Sequence, residues 1–140
     1  MAKKIVITGG LGYIGTELCK IYSGVSWNNE ILVIDNRFIS ERVNQLRSWG
    51  INFIQGDILD RDFVNKHLSN ANVLHHLAGI TDVPRTLSES VDEKSNRINL
   101  VATEGTKNIL SAIPDKCKII FPSTHVVYEG EQKENLGTEK

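Results

Sequence analysis

The chain is poor in the features that mark secreted, membrane-bound and metal-dependent proteins. Only two of its 140 residues are cysteine, and Cys19 and Cys117 lie far apart in unlike contexts. Two such residues do not make a disulfide framework, so we expect reduced thiols in a cytoplasmic protein. The opening stretch MAKKIVITGG contains a hydrophobic run of only three residues. This run is too short for a signal peptide or a membrane span, and we expect neither.

An excess of positive charge is also missing. The 16 Lys and Arg residues against 17 Asp and Glu residues give a formal net charge of −1. Nucleic acids and anionic membranes favour clustered positive charge, so we expect neither as a partner. The four histidines include the adjacent pair His75 and His76, whose side chains point to opposite faces of a predicted strand. We therefore expect no metal site.

The chain does contain a regular alternation of strand and helix patterns. Runs rich in β-branched residues predict five strands, at residues 3–8, 30–35, 51–55, 71–77 and 117–123. Apolar residues at helical spacing predict the helices between them, at residues 13–22, 38–49, 60–68 and 92–113. This alternation predicts one α/β domain over residues 1–140, with a doubly wound parallel sheet of strand order 3-2-1-4-5. Such sheets bind ligands where the strand order reverses, at the carboxyl ends of strands one and four.

Four glycines lie within seven positions at the end of the first strand, in the segment ITGGLGYIG. Gly9, Gly12 and Gly15 form a GxxGxxG pattern, and Gly10 with the last two also satisfies GxGxxG. Glycines at these positions let backbone N–H groups approach a pyrophosphate, whose charge is favoured at a helix N-terminus. Gly15 further allows the first helix to lie close to the sheet. The pattern therefore predicts a dinucleotide-binding loop.

An acidic residue ends the second predicted strand. Asp35 lies 20 residues after Gly15, where a carboxylate can accept hydrogen bonds from both hydroxyls of an adenosine ribose. A 2′-phosphate beside this carboxylate would be repelled, so Asp35 favours NAD over NADP. The guanidinium of Arg37 could pair with that phosphate, and NADP stays the alternative.

Five segments together resemble a known family. They are TGGLGYIG (8–15), DN (35–36), GDI (56–58), HLAG (76–79) and PSTHVVY (122–128). In this order and spacing they are similar to extended short-chain dehydrogenase/reductases, and more narrowly to NAD-dependent nucleotide-sugar epimerases and dehydratases of the UDP-glucose 4-epimerase type. The resemblance covers essentially the whole chain and implies the NAD(P)-binding Rossmann fold.

The resemblance also implies which residues contact the dinucleotide. Those at the ends of the strands are assigned as follows: Gly9, Gly12, Tyr13, Ile14 and Gly15 to the phosphates, Asp35 and Asn36 to the adenosine ribose, Asp57 and Ile58 to the adenine, and Leu77, Ala78 and Gly79 to the cofactor at the end of strand four. The asparagine that the family carries within N-V-x-G-T matches Asn99 with alanine for glycine. Gly105-Thr106 fits only the Gly-Thr pair, and Asn96 is a further candidate.

The resemblance gives Thr124 a catalytic role, in which its hydroxyl hydrogen-bonds the reacting oxygen of a nucleotide-sugar substrate. The family's Tyr-x-x-x-Lys pair is missing, because Gln132 stands four residues after the last tyrosine, Tyr128. We therefore expect the amino-terminal portion of a longer enzyme that binds cofactor without turnover. A stand-alone dinucleotide-binding or sensing module is the alternative. We also expect a homo-oligomer, formed through the 92–113 helix or through an exposed edge at strand five.

Overall fold

A computed structural model describes residues 2–25, 28–80 and 91–123 and contains a five-stranded sheet flanked by helices. The strands are β1 (Lys4–Thr8), β2 (Glu30–Asp35), β3 (Asn52–Gln55), β4 (Val73–His76) and β5 (Lys118–Ile120). The helices are α1 (Tyr13–Ser23), α2 (Ser40–Ser48), α3 (Arg61–Leu68), α4 (Val91–Leu100) and α5 (Thr106–Ala112), with a π-helical turn at Val101–Gly105. Within these ranges, no helix is both long and apolar enough to cross a membrane.

The sheet has the order β3-β2-β1-β4-β5, and every pairing in it is parallel. This confirms the doubly wound architecture predicted from the alternating pattern. Thr8, the last residue of β1, pairs with Ile34 on one side and with His76 on the other. The ends of β1 and β4 therefore adjoin at the point where the strand order reverses.

Hydrophobic side chains fill a core on each face of the sheet. Alternate residues of β1 face opposite sides, so that Val6 packs with Leu74 and Ile109 while Ile7 packs with Cys19 on the other face. The first core lies under α3 and α5, and the second lies under α1 and α2. Burial raises the pKa of the Cys19 thiol to about 12, so this thiol stays protonated and acts as a small hydrophobic residue.

The prediction of one continuous helix over residues 92–113 is wrong in its middle. A π-helical turn at Val101–Gly105 separates α4 from α5. At the end of this turn Gly105 is buried, and a Cβ atom there would lie 2.5 Å from Cδ1 of Ile58. The hydrogen bonds of a π turn span one residue more than those of an α-helix. With this turn in place, both Gly105 and Ile109 are buried in the core.

We expect the core side of α5 to contribute strongly to stability. Ile109 is 1% exposed, whereas the adjacent Leu110 is 53% exposed. Ile109→Ala should lower the free energy of unfolding by about 2–4 kcal/mol, because it removes buried apolar surface and leaves a cavity. Leu110→Ala is the matched control, with a loss of less than about 1 kcal/mol. Urea denaturation measures both, and equal losses would contradict the placement of this helix face.

Two glycines of the described chain have a positive φ angle, and their surroundings differ. Gly9 follows β1 with φ 69°, and Gly50 follows α2 with φ 70°. A Cβ atom on Gly9 would lie 2.7 Å from the backbone N of Ala78 and from the backbone C of Leu77. A Cβ atom on Gly50 would have no heavy atom within 4 Å. Both positions favour glycine, but only Gly9 also lacks space for a side chain.

This difference predicts two unequal alanine substitutions. Gly50→Ala should cost about 1 kcal/mol, which is the price of a left-handed conformation alone. Gly9→Ala should cost clearly more, because the added methyl group overlaps backbone atoms of the β4 end. Urea denaturation compares the two variants. Similar losses would show that the β4 end moves away from Gly9 at no cost.

Candidate dinucleotide-binding site

The glycine loop turns tightly between the end of β1 and the start of α1. The N–H of Gly9 donates to the carbonyl of Ile34 over 2.8 Å, and the N–H of Gly12 donates to the carbonyl of Gly9 over 3.0 Å. Gly12 is the N-cap residue of α1, and it provides no side-chain cap. The first turn of α1 carries no acidic residue. The N-terminal N–H groups of this helix are therefore available to an anion.

The residues around this turn leave the backbone accessible. Gly15 is buried, and a Cβ atom on it would lie 2.6 Å from the Cα atom of Gly10. Gly15 thus lets α1 pack against the loop itself. Tyr13 and Ile14, the first two residues of α1, are 85% and 64% exposed. Their contact with the phosphates of a dinucleotide stays a prediction.

Asp35 is buried at the end of β2 and braces the glycine loop. Its Oδ2 atom accepts a hydrogen bond from the N–H of Leu11 over 3.0 Å. Its Oδ1 atom accepts from the N–H and the Nε of Arg37, over 3.0 and 3.2 Å. The guanidinium of Arg42 donates to the carbonyl of Leu11. The sequence assigned Asp35 to the ribose alone and did not predict the hydrogen bond from Leu11 to its carboxylate.

Asp57 and Ile58, the two residues predicted to contact the adenine, differ in solvent exposure. Asp57 is exposed, and its Oδ1 atom accepts from the N–H of Leu59 over 2.9 Å. Ile58 is 6% exposed and packs in the core against Gly105, so its side chain is not free to contact a ligand. Asn36 is exposed after β2, and its carbonyl accepts from Nε2 of Gln55 over 3.0 Å.

The end of β4 lies against the start of the glycine loop. The N–H of Leu77 donates to the carbonyl of Thr8 over 3.1 Å, and the N–H of Ala78 donates to the Thr8 hydroxyl over 3.3 Å. The next residue, Gly79, is exposed. The sequence prediction placed these residues at a common site with the loop, and the structure brings Leu77 and Ala78 beside Gly9.

Two predicted site residues remain, Asn99 and Thr124. Asn99 is exposed near the end of α4, and its carbonyl accepts from the Thr103 hydroxyl over 2.6 Å. The other match to the family pattern is the pair Gly105 and Thr106. Gly105 is buried, and the Thr106 hydroxyl lies 3.0 Å from Nε2 of His76. Thr124 lies outside the described residues.

Two buried histidines next to the site were not assigned a contact by sequence reasoning. Nε2 of His75 lies 2.7 Å from the Tyr22 hydroxyl on one face of the sheet. On the other face, the ring of His76 bonds Thr8 and Thr106. This confirms that the two rings point to opposite faces. Burial lowers the pKa of both, so the rings are neutral near pH 7. The described part of the chain contains no cluster of three or more metal-ligating side chains.

The chain is similar in sequence to known proteins. The chain is 32% identical over 132 residues to UDP-N-acetyl-alpha-D-glucosaminuronate decarboxylase of Bacillus cytotoxicus, covering 91% of this chain and 38% of the relative. It is 28% identical to UDP-glucose 4-epimerase of Neisseria meningitidis serogroup C, covering 90% of this chain and 38% of the relative. The chain therefore spans about two-fifths of the length of these curated relatives.

The fold is likewise that of a solved epimerase. UDP-glucose-4-epimerase from Stenotrophomonas maltophila, with bound NAD and formylated UDP-arabinopyranose, superposes with a TM-score of 0.69 at 23% identity. The match covers 94% of this chain and 39% of the epimerase. A family profile also matches residues 6–140. On this match, the chain belongs to the 3-beta hydroxysteroid dehydrogenase/isomerase family.

Proposed function

We propose that this chain binds NAD as the dinucleotide-binding part of an enzyme that acts on a nucleotide sugar. One observation carries the proposal. The buried carboxylate of Asp35 lies at the end of β2 and bonds Leu11 within the glycine loop, at the open head of α1. A pyrophosphate site and a ribose site are thereby held next to each other.

The residues present fit a dinucleotide. Added Cβ atoms on Gly9 and Gly15 would meet backbone atoms at 2.7 and 2.6 Å, so these two glycines let the loop fold tightly against the β4 end and the start of α1. Asp35 supplies acceptors for ribose hydroxyls, with Asn36 beside it. The proposed lining also includes Asp57, the backbone of Ile58, the β4 end from Leu77 to Gly79, and Asn99. When bound, the nicotinamide supplies the acceptor and donor of the hydride.

The substrate class is proposed from the relatives. The two curated relatives described above carry UDP sugars in their names, and the epimerase structure holds a UDP sugar. We propose a nucleotide sugar as the substrate of the whole enzyme, with hydride taken from and returned to a sugar carbon. Thr124 is proposed to hydrogen-bond the reacting hydroxyl. Because no tyrosine of these 140 residues is followed four positions later by lysine, we propose that the chain as given binds without turnover.

NAD binding tests the proposal directly. Calorimetry should show that the wild-type chain binds NAD more tightly than NADP, because the charge of Asp35 repels a 2′-phosphate. Asp35→Asn keeps the shape of the side chain but removes its charge. It should weaken NAD binding about tenfold, since hydrogen bonds to a charged group are the stronger ones.

Two further variants sharpen the measurement. Asp62→Asn, in the exposed first turn of α3, is the matched control and should leave NAD affinity unchanged. Arg37→Ala should not weaken NAD binding, because its guanidinium competes with the ribose for Asp35. It should remove any residual NADP binding, since Arg37 is the proposed partner of a 2′-phosphate. A folded wild-type chain that binds neither nucleotide would contradict the proposal.

We also propose that the chain forms a homo-oligomer through the region around β5. Ile119, Ile120 and Phe121 are 41%, 38% and 62% exposed, which is unusual for consecutive residues at a parallel sheet. Light scattering at micromolar concentration should show a species larger than a monomer. Phe121→Ser should shift this species toward the monomer, whereas a monomeric wild-type chain would refute the proposal.

A further inference from the structure

His76, at the carboxyl end of β4, contacts three other parts of the protein through one buried ring. Its Nδ1 atom lies 2.8 Å from the hydroxyl of Thr8 in β1. Its Nε2 atom lies 3.0 Å from the hydroxyl of Thr106, the first residue of α5. The ring of Phe121, just after β5, lies 5.5 Å away between centroids. One imidazole thus joins the elements that surround the candidate site.

The direction of these hydrogen bonds follows from the hydroxyl of Thr8. This hydroxyl is buried and accepts the N–H of Ala78, and its other hydrogen-bond partner among the described residues is Nδ1 of His76. A buried hydroxyl hydrogen without an acceptor costs free energy, so Thr8 donates to Nδ1. The neutral ring then carries its proton on Nε2 and donates to Thr106. Burial, which lowers the pKa of His76, keeps the ring neutral.

This chain of hydrogen bonds ends beside Gly9, where the glycine loop has no space for a side chain. Thr8 directly precedes Gly9, and the N atom of Ala78 lies 2.7 Å from the position of a Cβ atom on Gly9. The Thr8 hydroxyl therefore sets where the Ala78 peptide lies against the loop. His76 in turn sets the orientation of that hydroxyl.

We propose that His76 is a positioning residue of the dinucleotide site, which acts through Thr8 to hold the Gly9 turn and the Leu77–Ala78 peptide at their mutual spacing. It does so without touching the nucleotide. The inference rests on the proposed function, because the spacing matters only if the loop binds a pyrophosphate.

Two substitutions test the two ring nitrogens of His76 one at a time. His76→Asn places an amide oxygen near the Nδ1 position and keeps an acceptor for Thr8. His76→Gln places an amide nitrogen near the Nε2 position and keeps only the donor to Thr106. Calorimetry should show NAD affinity within about threefold of wild type for the Asn variant and about tenfold weaker for the Gln variant. A merely structural role would instead make both losses follow the melting temperature.

His75→Gln is the matched control, since it changes the neighbouring residue on the opposite face, where the ring bonds Tyr22. It should lower the melting temperature and leave NAD affinity unchanged. Equal NAD affinity in the Asn and Gln variants of His76, or an affinity loss in His75→Gln of the same size, would overturn the inference.

A second measurement needs no nucleotide. Nitrogen-15 NMR of the free wild-type chain should show the His76 ring protonated on Nε2, and amide exchange at Ala78 should be faster in His76→Gln than in His76→Asn. Protonation on Nδ1, or equal exchange in both variants, would overturn the inference. Failure of the proposed function would be distinguishable from failure of this inference. In that case the wild-type chain binds no NAD, but the NMR results are as expected.

Discussion

The contact between Gly9 and the backbone of Leu77 and Ala78 is the constraint on which the candidate site depends. At this point the chain leaves β1 with a positive φ and passes against the end of β4 with no space for a Cβ atom. Parallel pairing puts the ends of these two strands side by side, and a glycine lets them approach this closely. The loop before α1 and the residues after β4 are consequently held as one unit.

Buried polar groups hold this unit in place, and each has its partners. The carboxylate of Asp35 accepts from Leu11 in the loop and from Arg37 beside it. On the other side of β1, Thr8 and His76 are bonded to one another. A buried polar group that lost its partner would cost free energy, so these bonds specify the loop conformation more sharply than apolar packing alone could. Both groups are positioned by strand ends rather than by loops, which suits a site that has to be rigid.

Most of the fold could be predicted from pattern, because period-two and helical apolar spacing are local properties. The five strands, the helices between them and the strand order followed from alternation and the right-handed crossover rule. The positions of the loop glycines after β1 and of Asp35 at the end of β2 also followed from the sequence, because their spacing along the chain is local. The π turn at Val101–Gly105 was missed, and the close packing of Gly105 against Ile58 joins segments that are remote in the sequence. The burial of the Ile58 side chain could not be predicted either, because it depends on the same remote contact.

The sequence by itself determined the order of the elements, the position of the glycine turn and the acid at the end of β2. Each of these depends on residues that are close together along the chain. Only the tertiary structure decided that Asp35 braces Leu11, that His76 bonds both Thr8 and Thr106, and that the long helix contains a π turn. The three hydrogen bonds join residues that are 24, 68 and 30 positions apart in the sequence. Their geometry exists only once the sheet has brought the strand ends together.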